Sequence, residues 1–158
     1  ETLCAYIREN APAPAAEASS LGLPEGRPPY DARSRSLTLP ALRADLQTAL
    51  TIIGRRSGER RNLERLRAYR IDLRLTNLRR ADLSNALNFD DALFTDTRLE
   101  GADFRRSSFR AADLSRARID GADLRQVRMS GAILRASSIT HASFVNAQLG
   151  AADFQNAV

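Results

Sequence analysis

From Leu73 to the end of the chain, a large apolar side chain returns at every fifth position. The centres are Leu73, Leu78 and Leu83, then, after one extra residue at Ala86, Phe89 and every fifth residue to Phe154. All six phenylalanines fall on this beat: Phe89, Phe94, Phe104, Phe109, Phe144 and Phe154. Two residues before each centre stands a small side chain, usually alanine; Ile71, Leu87 and Val127 are the larger exceptions.

Neither regular element can use such a period. In an α-helix five residues advance about 500°, so successive centres drift around the axis and no buried stripe forms. In a straight strand side chains alternate with period two, and an odd repeat throws each centre to the opposite face. The pattern works if the chain turns a corner every five residues. The centre and the residue two before it then point inward, the residue between them points outward, and the next two make the turn. Four such sides close a square coil of about twenty residues, and stacked coils pair in parallel at roughly 4.8 Å spacing. A narrow interior with one large and one small side chain per side accounts for the observed composition.

The units Ala81-Asp82-Leu83-Ser84-Asn85, Ala102-Asp103-Phe104-Arg105-Arg106, Ala112-Asp113-Leu114-Ser115-Arg116 and Ala122-Asp123-Leu124-Arg125-Gln126 resemble the A(D/N)LXX units of pentapeptide repeat proteins. The resemblance covers residues 71–158. It implies an all-β solenoid, a right-handed quadrilateral parallel β-helix of about four coils, on the order of 20 Å long. The slip at Ala86, beside the oversized Leu87, predicts a bulge or one-residue loop at that corner.

The pattern divides the rest of the chain. Residues 1–10 read as the end of an amphipathic helix, with Leu3, Tyr6 and Ile7 on one side. Residues 11–37, with Pro12, Pro14, Pro24, Pro28 and Pro29 among Ala, Ser and Gly, have linker composition. Residues 38–54 read as a helix with Thr38 as N-cap, Pro40 in the first turn and Gly54 as the stop. Its apolar stripe is Leu39, Leu42, Leu46, Ala49, Leu50 and Ile53. A β-solenoid exposes unpaired backbone at its first coil, so this helix is expected to be its N-terminal cap. Residues 55–70 form an Arg-rich connector. The phrases 1–10 and 43–56 also resemble bacterial pentapeptide repeat proteins with membrane-spanning helices before the repeats. That likeness implies the soluble part of a longer, membrane-anchored chain, located in the cytosol.

Composition narrows the chemistry. There are 24 basic residues, all arginine, which with the abundant alanine fits a high-GC bacterial genome. A single Cys4 excludes a disulfide framework, and a single His141 excludes any site needing two histidines. The aspartates at 82, 103 and 123 form a column, but they belong to the repeat pattern. No phosphate loop, dinucleotide fingerprint or zinc spacing occurs. The sequence therefore predicts no enzyme, no cofactor and no metal.

Charge is the remaining signal, and it is banded. Residues 55–80 carry ten arginines against Glu59, Glu64 and Asp72; residues 81–104 carry Arg98 against six acids; residues 105–135 carry eight arginines against three aspartates. Because position along a solenoid maps onto height, these become stacked bands of alternating sign. Within the bands, Arg98 and Glu100 flank Leu99, and Arg118 and Asp120 flank Ile119; both pairs read as solvated salt bridges. The leading expectation is a non-catalytic scaffold that binds a protein partner, with Arg105, Arg106, Arg110, Arg125 and Arg128 as the candidate patch. Arginine-mediated binding to nucleic acid is disfavoured by the acidic band and by the inward placement of every phenylalanine. The cluster from Arg55 to Arg80 could instead lie against anionic lipid. The resemblance further implies two possibilities, a homodimer through the C-terminal coil and DNA mimicry toward a topoisomerase. The positive charge of the repeats argues against the second.

Overall fold

The computed structural model describes residues 2–13 and 39–158. Residues 71–158 wind into a four-sided column of parallel coils. Asp72, Asn77, Asp82 and Asn88 pair with Leu93, Arg98, Asp103 and Ser108 of the next coil, and the pattern continues to Ile133 with Asp153. Each side contributes a single bridge rather than a long strand, because only three residues separate one turn from the next. Partners lie 21 residues apart in the first three pairs and 20 apart from Asn88 onward. The extra residue is thus confined to the first coil.

The interior holds what the five-residue beat places there. Every centre from Leu73 to Leu134 is fully buried, and Ile139, Phe144, Leu149 and Phe154 are partly buried against the same core. Phe89, Phe94, Phe104 and Phe109 form one aromatic cluster: Phe109 has ring centroids 5.3 Å from Phe89, 5.6 Å from Phe94 and 5.0 Å from Phe104. Where a hydroxyl replaces alanine two before the centre, it donates to the carbonyl of the preceding centre in three cases, and Thr97 donates instead to the Leu73 carbonyl of the coil below at 2.9 Å. Thr76 bonds Leu73 at 2.7 Å, Ser137 bonds Leu134 at 2.7 Å, and Ser107 bonds Phe104. A buried hydroxyl thereby costs little, since its donor is satisfied.

From Phe89 onward the corners are built alike. The N–H three residues after a centre donates to that centre's carbonyl, as Ala102 does to Leu99 at 3.0 Å. The residue two after each centre, from Leu75 to Asn156, has a positive φ. Gly101, Gly121 and Gly131 take this position without steric cost. The outward aspartate before the centre supports the corner that follows it. Asp103 accepts the backbone N–H of Arg105 at 3.0 Å, and Asp113 that of Ser115 at 3.0 Å. A carboxylate that captures the N–H two residues on stabilises the turn it precedes.

The slip at Ala86 is a corner with two consecutive left-handed residues, Asn85 (φ 59°) and Ala86 (φ 65°). The oversized Leu87 above it is accommodated from outside the repeats. A Cβ on Gly54 would lie 2.9 Å from the Leu87 Cβ. Gly54→Ala is therefore expected to destabilise the protein by about 1–3 kcal/mol, although alanine favours helix. Adding Leu87→Ala should recover much of the loss; equal stability of Gly54→Ala and wild type in a urea melt would refute this contact.

Among the described residues three helices flank the column: α1 (Thr2–Asn10), α2 (Ala44–Gly54) and α3 (Gly58–Leu66). On α1, Cys4 and Ile7 are buried, while Tyr6 is exposed and donates to Asp45 at 2.6 Å. Helix α2 starts later than the pattern predicts. Residues 39–43 are not helical, Leu39 and Pro40 lie before the helix, and the carbonyl of Leu39 is held by Arg80. Arg43 occupies the N-cap position without a side-chain cap. Thr38 and most of the 11–37 linker lie outside the described residues. Leu46, Ala49, Leu50 and Ile53 of α2 are buried in one core with Leu73, Leu78 and Leu83. The stretch expected as a connector contains α3, started by Ser57, whose hydroxyl accepts the N–H of Arg60.

The lower edge of the first coil is met on all four sides. Arg8 donates to the Asp72 carbonyl at 3.3 Å. Asn77 N–H donates to Ala11 at 2.7 Å, and Ala13 N–H to Leu75 at 2.8 Å. The Gln47 carboxamide acts as a surrogate peptide: its Nε2 donates to the Asp82 carbonyl at 2.6 Å and its Oε1 accepts the Asp82 N–H at 2.8 Å. Asn88 N–H donates to Gly54 at 2.9 Å.

Candidate interaction surface

The outward residues form vertical columns, one rung per coil. At the corner between the third and fourth sides lies a shallow groove of about 350 Å³ lined by Asn85, Arg105, Arg106, Arg125, Gln126, Val145 and Asn146. Three of the five arginines singled out from the sequence meet there. Arg105 is clamped on Asp103 at 2.5 Å and reaches Asp123 at 3.8 Å; Arg125 is clamped on Asp123 at 2.5 Å. The Arg125 guanidinium, hydrogen-bonded to it, holds the Asp123 carboxyl below the usual carboxylate range. Arg106 bonds the Gln126 carboxamide one rung up, at 2.9 Å, and keeps its charge uncompensated. Arg110 and Arg128, on the fourth side, make no ion pair among the described residues. The five arginines are therefore of two kinds: two neutralised rungs and three open cations.

A second charged group departs from the sequence reading. The pairs flanking Leu99 and Ile119 are expected to be solvated, yet Arg98 and Glu100 are buried. Glu100 Oε1 lies 3.2 Å from Arg79 of the coil below and 3.4 Å from Arg118 of the coil above. Asp120 instead accepts from Ser138 and Thr140, both at 2.6 Å. Glu100 Oε2 and Arg79 Nε are buried without a hydrogen-bond partner. A signal exists in the sequence: aligning positions at offsets of one coil brings Arg79, Glu100 and Arg118 into adjacent columns of one side.

A larger groove, about 650 Å³, lies between α3 and the column and is lined by Arg56, Arg61, Glu64, Arg65, Tyr69, Arg70, Asp90 and Asp91 with Ala111, Gly131 and Ile133. Four of its charges pair with one another, Arg56 with Glu64 at 2.7 Å and Arg65 with Asp91 at 3.5 Å, while Arg61 and Arg70 donate to the backbone carbonyls of Arg56 and Asp91. His141 is exposed at a corner with φ 58°. Cys4 is a buried free thiol, 4.0 Å from the Tyr69 hydroxyl. Among the described residues no group of three potential metal ligands is found, and no helix is long and apolar enough to cross a membrane.

The repeat region, residues 88–126 and 119–156, matches the family profile of pentapeptide repeats in eight copies. Residues 88–156 are a run of pentapeptide repeats. Proteins of this family are generally structural or interaction proteins. Solved pentapeptide repeat proteins align with part of the chain. One from the cyanobacterium Cyanothece is 22% identical over 56% of this chain and 63% of its own, with a TM-score of 0.35. One from the Arabidopsis thaliana thylakoid lumen is 26% identical over 48% and 59%, with a TM-score of 0.29. One from Nostoc is 32% identical over 44% and 62%, with a TM-score of 0.28. This chain thus spans less than two thirds of each. No curated protein matches it.

Proposed function

We propose that this pentapeptide repeat domain is a non-catalytic binding module, a right-handed quadrilateral β-helix with α2 as its N-terminal cap. It presents an arginine patch to an acidic protein partner. The observation that carries the reading is the division of charge at the third-to-fourth corner. Asp103 and Asp123 immobilise Arg105 and Arg125, while Arg106, Arg110 and Arg128 stay uncompensated beside them. A rigid column sets these cations at fixed rung spacing, so a partner meets a pre-ordered pattern and little side-chain ordering opposes binding.

Charge pattern favours a protein over nucleic acid. A phosphate track needs continuous cations, and here the aspartate column runs alongside them, with Asp82, Asp90 and Asp91 in the first coil. The middle coils offer no stacking platform either, because their four phenylalanines are fully buried. The test is affinity capture with the wild-type chain and the Arg106→Glu/Arg110→Glu/Arg128→Glu variant. The triple reversal should lose the bound partners, while Arg55→Glu should retain them. An unchanged partner set would reduce the patch to a solvated face, and retention of duplex DNA at moderate salt would move the reading to nucleic acid.

A further inference from the structure

Helix α3 is mounted with its apolar side outward. Arg61 and Glu64 face the body: Glu64 pairs with Arg56 at 2.7 Å, and Arg61 donates to the Arg56 carbonyl at 3.1 Å. None of its nine residues is buried. Leu63 and Leu66, one turn apart, project into solvent at 49% and 84% exposure. A surface helix ordinarily does the reverse, turning its leucines to the core. Around this ridge stand the exposed Arg55, Arg60 and Arg67, of which Arg60 makes only a distant contact of 3.8 Å with Glu64. Arg67 and Arg55 make no ion pair among the described residues.

We infer that α3 is a docking ridge for an anionic lipid surface. Two features select this occupant. The ridge is convex and carries only two apolar anchors, which suits a fluid interface that deforms around them better than a preformed protein groove, which takes anchors over several turns. Its rim is cationic, complementary to anionic headgroups, and each arginine near such a surface adds attraction that salt weakens. Glu59, exposed on the same side, opposes that attraction. Of the arginine patch, Arg106 lies away from this surface, whereas Arg110 and Arg128 stand on the columns of Asp90 and Asn88, which line the groove beside α3; Arg106 alone is therefore the independent control.

The experiment is co-sedimentation of the full chain with phosphatidylcholine vesicles, with and without phosphatidylglycerol. The wild type should bind only the mixed vesicles. Leu63→Ser/Leu66→Ser, at exposed positions that leave the core intact, should lower partitioning about tenfold. Glu59→Gln should raise it. Arg106→Glu, away from α3, should bind vesicles as the wild type does. Absence of wild-type binding to mixed vesicles at low salt overturns the inference. So does equal partitioning of the double leucine variant, which would leave arginine attraction alone, and so does a wild-type dimer that the leucine changes convert to monomer.

Discussion

Truncating Phe109 to alanine is expected to destabilise the column by about 3–5 kcal/mol, read as a shift of the urea midpoint followed by circular dichroism. The ring is fully buried and is the shared neighbour of Phe89, Phe94 and Phe104. Removing it deletes its own transfer energy and leaves three rings facing a void. The backbone cannot collapse into that void, because this side of the coil is pinned above and below. Phe109 N–H donates to the Arg128 carbonyl, and the Ser108 carbonyl accepts from Phe89 N–H, both at 2.7 Å. Aromatic pairing adds to the loss. Phe109→Leu, which keeps most of the volume, should cost less than about 1.5 kcal/mol. An alanine variant within about 1 kcal/mol of wild type would mean that the cluster is not packed as described.

The second large effect is expected at Glu100. Glu100→Gln keeps the shape but removes the carboxylate that is in ion-pair contact with both Arg79 and Arg118. Breaking a buried pair leaves uncompensated charge, and the cost here is about 2–4 kcal/mol, below the limit for full burial because both arginines are roughly one-third exposed. Salt should do little to mask it. The contrast is Asp153→Asn at the open Arg135–Asp153 pair (2.6 Å), where water and salt already screen the attraction and the melt should hardly move. If Glu100→Gln proved as mild as Asp153→Asn, the cluster would be an ordinary surface ladder.

Much of the column can be read from residues alone, for a physical reason. A five-residue beat of large and small apolar side chains has one economical solution, and the coil corners at Leu75, Arg80 and Asn85 and, after the slip, at Asp91 and each fifth residue onward realise it. The slip at Ala86 is legible as a break in phase; its accommodation by Gly54 is not, since that residue lies more than thirty positions away. Similarly, Arg105 with Asp103 is visible as a local pair, whereas Arg79, Glu100 and Arg118 become one group only after the chain has wound. Helix α3 escapes because periodicity arguments look for apolar residues that turn inward. Leu63 and Leu66 point outward, so their spacing carries no signature of a core. The Ser57 N-cap is the available clue.

The sealed lower edge has a consequence for the behaviour of the molecule in crowded solution. A bare coil end is a ready template: four short edges with free N–H and C=O groups, onto which another coil could add at the cross-β spacing of about 4.8 Å. Arg8, residues 11–13, Gln47 and Gly54 occupy those groups one side at a time. The Gln47 carboxamide is the subtle member, because it offers the coil a peptide's donor and acceptor with no following strand. On the proposed reading of the helical preface as a cap, these contacts are what separates a finite column from the seed of a fibre.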